Sequence, residues 1–389
     1  MSPHGADHGC LIAGATVWTP DHEFPGWVRV RGGRIAAVGA GDAPRPEAGE
    51  AAVDASGLYL APGFVDIHIH GAAGHDLMDG ARALEAVSAF LATCGCTGYL
   101  PTTVTAPWDA TLRAIAAFAA ACDHPPPGAR PLGIHLEGPY LNPARAGMQP
   151  VAHMRRPDAA DCEALLAAGR GQVRTMTLAP ELPGALALVA HLGSRDVVAA
   201  MAHSVATYRQ AVEACAAGVS RVTHCFNAMP PLHHRAPGVV GAALDLDGLA
   251  VEAIADGVHV DPVVLRLLWR VKGWRRVALV TDAMAGAGAV EGDYRFGGQA
   301  VWVAGGQARL RDGTLAGSVL TMDAAVRVMV AAGVPAREAV GMATLAPAAA
   351  AGLHGVGRVA PGYAADLVAL TPRWQVAWTM VGGTMVHRA

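Results

Sequence analysis

Lysine is almost absent from this sequence. Of 29 basic residues in a chain of 389, one is lysine, Lys272, and the rest are arginine. Charge of either sign is scarce, at 16% of residues, and the formal net charge is −3. A nucleic-acid binder needs a basic excess to neutralise phosphates, so that class is excluded. A disordered chain needs low hydrophobicity and high charge, whereas 52% of these residues are hydrophobic. Long apolar runs are missing as well. The Ala/Gly-rich stretches are interrupted by His, Arg, Asp or Pro before about 18 residues, so none reads as a membrane span. Met1–Cys10 lacks the apolar centre of a secretory signal, and the expected compartment is the cytoplasm. The seven cysteines include only one close pair, Cys94 and Cys96. That is no disulfide framework, and buried free thiols are expected.

What the chain has in quantity is apolar material and histidine, 17 in all. Residues 11–60 read as short strands separated by Gly-rich turns such as Gly32-Gly33. From Pro62 onward, strand-like runs alternate with Ala/Leu-rich helical runs. The strands are Phe64–Ile69, Gly98–Thr103, Leu132–Leu136, Val173–Leu178, Val197–Ala202, Arg221–Cys225, Ala250–Ile254 and Val277–Val280. About eight such alternations predict an α/β chain with a closed parallel (β/α)8 TIM-like barrel. Hairpin language returns between Gly292 and Gly317, as an insertion after the last barrel strand. Strands recur at Asp366–Leu370, Val376–Met380 and Met385–His387. The expected organisation is a barrel over 62–353, inserted in a small β-sandwich domain formed by 1–61 and 354–389.

The chemistry-bearing residues fall at the C-terminal ends of the predicted strands, where barrel enzymes keep their sites. His68 and His70 sit two apart on a strand and so share a face. Glu137, His203, His224 and Asp282 follow at four further strand ends. Neutral imidazoles with carboxylates suit zinc, iron or a similar divalent ion. Such an ion lowers the pKa of water toward ~7, and an aspartate beside it can serve as base and then acid. Asp282 is the candidate for that role. An H-x-H pair alone is more often structural; five strand ends in one predicted barrel make the case for a metal site.

Several segments carry a resemblance. Pro62-Gly63-Phe64-Val65-Asp66-Ile67-His68-Ile69-His70-Gly71 resembles the opening barrel strand of the amidohydrolase superfamily. His135-Leu136-Glu137-Gly138-Pro139-Tyr140-Leu141-Asn142, Thr223-His224-Cys225-Phe226-Asn227-Ala228-Met229, Ala255-Asp256-Gly257-Val258-His259-Val260 and Val280-Thr281-Asp282-Ala283 are narrower. With Leu315-Ala316-Gly317-Ser318 they are similar to the N-acetylglucosamine-6-phosphate deacetylases, over essentially Leu11 to His387. The resemblance implies hydrolysis of N-acetyl-D-glucosamine 6-phosphate to D-glucosamine 6-phosphate and acetate, in amino-sugar catabolism and cell-wall recycling. It implies metal ligation by Glu137, His203 and His224, with His68 and His70 available for a second ion, and Asp282 as acid/base. Zinc is the expected metal, with iron, cobalt or manganese as alternatives. Asn227, Ala228, Arg235 and His259 match positions that hold the sugar phosphate, and Leu315, Ala316 and Gly317 are expected to line the substrate. In such enzymes the arginine and this histidine reach a neighbouring subunit's ligand, so a homodimer is implied. Related barrels that bridge two metals with a carboxylated lysine have no counterpart here, because Lys272 lies in a late helix; Glu137 is the bridge available.

One position departs from the pattern. Relatives commonly carry histidine where Gln149 stands, near the sugar and acyl group. Glutamine donates hydrogen bonds but carries no proton charge. This keeps open a second reading, an enzyme for the galacto epimer or for another N-acyl amine.

Overall fold

A computed structural model describes residues 9–19 and 21–389; most of the Met1–Cys10 stretch lies outside the described residues. Eight parallel strands pair in chain order: Phe64–Ile69, Cys96–Thr103, Ile134–Glu137, Val173–Leu178, Val198–Met201, Val219–Val222, Ala250–Ile254 and Val277–Val280. Each predicted barrel strand has its counterpart in this ring. The first and last strands share no ladder. They are joined instead by single hydrogen bonds: Asp282 N donates to His68 O at 2.9 Å and His70 N donates to Ala283 O at 2.9 Å. Between the same two strands, the buried Asp66 carboxylate accepts from Thr281 Oγ1 at 2.5 Å and from Thr281 N at 3.2 Å.

The outer helices start where local chemistry tells them to. Thr207 and Gln210 form a reciprocal cap on Tyr208–Ala217, satisfying two backbone N–H groups that the first turn leaves open. Asp158 caps Ala159–Ala168, and Asp261 followed by Pro262 opens Pro262–Lys272. Apolar residues such as Leu84, Phe118, Leu165 and Leu188 pack these helices onto the ring. Two short helices escape sequence reading. Gly238–Asp245 begins with glycine and carries little helix propensity of its own. Leu345–Ala350 contains Pro347, which reads as a breaker but sits in the first turn, where its missing N–H costs nothing.

The N- and C-terminal strands meet as expected. Tyr59–Pro62 pairs antiparallel with Leu367–Leu370 and parallel with the N-terminal strand Cys10–Trp18, inside one eight-stranded sheet. Cys10–Trp18 is a single nine-residue strand, bulged between Ala13 and Ala15. Its core is Ile12, Val17, Val28, Ile35, Leu60 and Leu367. Residues Gly292–Phe296, Gln299–Ala304 and Gln307–Arg309 form a separate three-stranded sheet, the predicted insertion. All seven cysteines are free. No helix among the described residues is long and apolar enough to cross a membrane.

The interior of the ring is polar. Successive inward positions, two apart on each strand, are Asp66 and His68, His135 and Glu137, Thr175 and Thr177, Arg221 and Thr223; Glu252 joins them from its own strand. All are buried. Buried polar groups must find partners, and the partners they find build the site.

Candidate active site

The sequence-predicted ligands converge at the C-terminal mouth of the barrel. His203 Nε2 lies 3.2 Å from Glu137 Oε1, His224 Nε2 lies 2.9 Å from the same oxygen, and the two Nε2 atoms are 3.1 Å apart. His68 Nε2 and His70 Nε2 are also 3.1 Å apart. Asp282 Oδ1 stands 3.1 Å from His70 Nε2 and 3.5 Å from His68 Nε2. Glu137 Oε2 is 3.4 Å from His70 Nε2, so this carboxylate spans both groups.

The donor set fits a divalent cation, and the tautomers show why. His68 Nδ1 faces Glu252 Oε2 at 3.0 Å, and His70 Nδ1 faces Thr102 O at 3.3 Å. Both partners only accept, so both Nδ1 atoms carry a proton, and in the neutral rings both Nε2 atoms present lone pairs. Those lone pairs point at each other. His203 Nδ1 likewise donates to Arg145 O at 2.8 Å, baring its Nε2 toward Glu137 and His224. Bare nitrogens and carboxylate oxygens at contact distance repel unless positive charge stands among them. Without an ion, that positive charge is a proton. Burial opposes charge on His68, yet Glu137 and Asp282 outweigh it and raise its pKa well above the usual value. Burial would raise the Glu137 carboxyl, but His68 and the imidazoles of His203 and His224 against it hold it well below the ordinary range. Three residue groups among the described residues are close enough to hold an ion, and two of them open on the mouth: Glu137, His203 and His224, and His68, His70 and Asp282; the third, His68, His135 and Glu252, has both His135 nitrogens facing other partners. The single lysine takes no part; Lys272 Nζ donates to Leu246 O at 2.7 Å.

The backbone turns sharply where it presents these groups. His203, His224 and Asp282 have φ of +46°, +29° and +49°. Non-glycine residues in that region cost on the order of 1–3 kcal/mol each, and such strain is typical of functional sites. The bends let three side chains leave their strand ends and lean over the mouth.

The cavity above has a volume of about 350 Å³. Of the predicted substrate residues, Gln149, Asn227, Ala228, His259, Leu315 and Gly317 line it. Ala316 is fully buried behind them, and His68 lies beneath His70. His259 Nδ1 is held by Asp256 Oδ2 at 2.6 Å. Arg235 is exposed and does not line the cavity of its own chain; its Nη1 rests on His234 Nε2 at 2.7 Å. Gln149 is buried, with its amide orientation set. Its Oε1 accepts from Thr105 N at 2.7 Å, so its Nε2 donates to Glu137 Oε2. This glutamine therefore touches the Glu137 carboxylate as well as the cavity.

Sequence reading missed the contribution of the inserted hairpin. Phe296, Arg309 and Thr314 fold over the mouth, and Arg309 brings a cation of the same chain to the cavity. It also missed Arg221 and Glu252, fully buried beneath the histidines. The available signal was a lone charge inside each of two apolar strands, since charges are rarely buried unpaired.

Gly317 joins the hairpin to Asp282. Its φ is +62°, and a Cβ there would stand 2.9 Å from Asp282 O and 3.1 Å from Phe296 Cε1. Ser318 N also donates to Asp282 O at 2.7 Å. Gly317→Ala is expected to cost about 1 kcal/mol or more of stability from the positive φ. By displacing Asp282 it should lower kcat more than it raises KM. Parent-like kcat would uncouple this glycine from Asp282.

Comparison with known proteins supplies the wider setting. Residues 59–386 match the amidohydrolase family. The chain is 39% identical over 371 residues to an N-acetylgalactosamine-6-phosphate deacetylase of Escherichia coli O157:H7, covering 95% of each. It is 40% identical over 308 residues to an N-acetylglucosamine-6-phosphate deacetylase of Bacillus subtilis, covering 78% of each. An N-acetyl-D-glucosamine-6-phosphate deacetylase variant of Mycobacterium smegmatis, solved with N-acetyl-D-glucosamine-6-phosphate, superposes with a TM-score of 0.91 at 37% identity, over 98% of this chain and 100% of that one.

Proposed function

The chain belongs to the amidohydrolase family, and from that premise we propose that it is a metal-dependent deacetylase of N-acetyl-D-glucosamine 6-phosphate. The products are D-glucosamine 6-phosphate and acetate, which suits amino-sugar catabolism. The observation that carries this reading is the meeting of Glu137 Oε1, His203 Nε2 and His224 Nε2 within 3.2 Å, with Asp282 beside them at the same cavity. Glu137, His203 and His224 would hold one divalent ion, zinc by its nitrogen-rich donor set, and His68 and His70 a second. When bound, the ion acidifies water and polarises the acetamide carbonyl.

Asp282 takes the proton from the attacking water. It then delivers that proton to the nitrogen of the leaving amine, because an amide anion leaves poorly. Its side chain is 13% exposed, the most open of the acidic groups at the site, so it can meet the substrate. Asn227, Ala228 and His259 orient the sugar phosphate, and the hairpin residues Leu315 and Gly317 close over it. The barrel over 62–353 carries this chemistry, and 1–61 with 354–389 support it. A cytoplasmic setting suits the seven free thiols.

Arg235 is assigned to the phosphate of a neighbouring subunit's substrate in a homodimer, which accounts for its exposure outside its own cavity. A guanidinium fork matches phosphate geometry. Arg235→Ala should raise KM for the phosphorylated sugar with kcat nearly unchanged, and sedimentation should show a dimer. An unchanged KM removes Arg235 from this role.

Acetate release from metal-loaded protein tests the whole reading. Turnover should be highest with N-acetyl-D-glucosamine 6-phosphate and much lower with the unphosphorylated sugar. Gln149, with the galacto-acting relative from Escherichia coli, favours N-acetyl-D-galactosamine 6-phosphate as the second substrate to try. Preference for that epimer would reassign the substrate and keep the chemistry. No turnover of any N-acyl sugar phosphate with metal bound would overturn the proposal.

A further inference from the structure

Beneath the histidines lies a buried charged chain that the proposed chemistry does not use. Arg221 Nε stands 3.1 Å from Glu252 Oε1, and both side chains are fully buried. The other oxygen, Glu252 Oε2, faces His68 Nδ1 at 3.0 Å and accepts from His224 N at 3.2 Å. Arg221 is itself anchored, donating from Nη1 to Ala350 O at 3.3 Å. A buried ion pair is a weak device for stability, since desolvation cancels most of the attraction. This one has a direction: its free oxygen meets one residue from each ligand group. The neighbouring His135 is not a third ligand, because its Nδ1 faces Ile67 O at 3.0 Å and its Nε2 faces Thr177 Oγ1 at 2.8 Å.

We propose that Glu252 is a positioning residue that holds the proton of His68 on Nδ1, so that Nε2 faces the mouth as a bare metal ligand, with Arg221 keeping the carboxylate in that pose. A carboxylate accepts only. While Glu252 Oε2 faces Nδ1, the His68 proton stays there. Partners of this kind typically carry 10–100-fold of metal affinity. The inference builds on the metal-hydrolase reading but needs no particular substrate.

Glutamine at this position reverses the logic. In Glu252→Gln, the buried guanidinium still attracts the negative end of the amide, because a buried cation without a partner is costly. The carbonyl oxygen of the glutamine therefore turns to Arg221, and its NH₂ group turns to His68 Nδ1. The His68 proton then moves to Nε2 and blocks it. Removing the guanidinium as well, in Arg221→Met with Glu252→Gln, frees the carbonyl to face His68 Nδ1 and the His224 N–H again. Replacing a buried ion pair by uncharged groups of similar size is commonly tolerated, so the double variant should fold even where the single one does not.

The test reads tautomers and metal binding without reference to turnover. Long-range ¹⁵N–¹H imidazole spectra of metal-free wild type, recorded at a pH high enough to leave the His68 ring neutral, should show His68 as Nδ1–H. Glu252→Gln should show Nε2–H, with zinc affinity at the His68 group down about 10–100-fold by calorimetry. The double variant should return to Nδ1–H and recover most of that affinity. A neutral ring with its proton on Nε2 in the wild type overturns the proposal. So does unchanged zinc affinity in Glu252→Gln, or a folded double variant with Nε2–H. A wild type with Nδ1–H and zinc bound but no deacetylase turnover would sink the substrate reading and leave the role of Glu252 standing.

Discussion

Replacing Asp282 by asparagine will lower turnover by roughly 10²–10⁴-fold while an ion at Glu137, His203 and His224 stays bound. The two halves of this expectation come from different atoms. Asp282 is no part of the Glu137–His203–His224 group, so that group keeps its three donors. It does stand with His68 and His70, 3.1 Å from His70 Nε2, so a second ion held there would have one fewer carboxylate oxygen available. Asparagine is nearly the same size, and its amide can donate to the bare His70 nitrogen, so the local structure should survive. What it cannot do is take a proton from water and pass it to the leaving amine. Single-turnover kinetics with metal analysis of the same sample checks this. Near-parent turnover would strip Asp282 of its role; loss of all metal would show that it holds the site rather than working in it.

Removing the divalent ion should be more drastic still: turnover falls to background and the melting temperature falls with it. The stability loss follows from the paired nitrogens at 3.1 Å in both histidine groups. Without a cation the folded chain must bind a proton there or bear the repulsion, whereas the unfolded chain bears neither. A ligand present at 100 times its Kd stabilises by about 2.7 kcal/mol, a shift of several degrees for a domain of moderate size. Calorimetry with chelator, then with zinc returned, measures it. An unchanged melting temperature with activity lost would place the ion in the chemistry alone.

Much of this was legible in the sequence because barrels obey two simple periods. Strand alternation put His68 with His70, and the repeat of strand and helix put Glu137, His203, His224 and Asp282 at one end of the ring. Three-dimensional events were not legible. The left-handed bends at His203, His224 and Asp282 carry no glycine to mark them, although His and Asp enter that region more readily than most side chains. The hairpin that delivers Phe296, Arg309 and Thr314 could be seen as a hairpin, but nothing in its residues said that it covers the mouth. Gln149 was read as facing the sugar; its amide is also committed to Glu137 and Thr105. Arg221 and Glu252 sit 31 positions apart on neighbouring strands, and only the pairing of Arg221 with Ala250 brings their inward faces together.

The missing ladder between Phe64–Ile69 and Val277–Val280 has a consequence for how the chain assembles. The ring is fastened at a clasp, and the clasp is made of Asp66, His68, His70, Thr281, Asp282 and Ala283. Those residues join segments more than 200 positions apart, the kind of contact that forms late because its loop-closure entropy must be met first. Fastening the ring and completing the His68, His70 and Asp282 group are thus one event. A chain stopped short of Val277 would keep seven strands and the Glu137, His203 and His224 donors, yet lack the half that Asp282 completes. Metal caught between the first strand and the last would act as a rivet across the seam, slowing the ring's opening more than it speeds its closing.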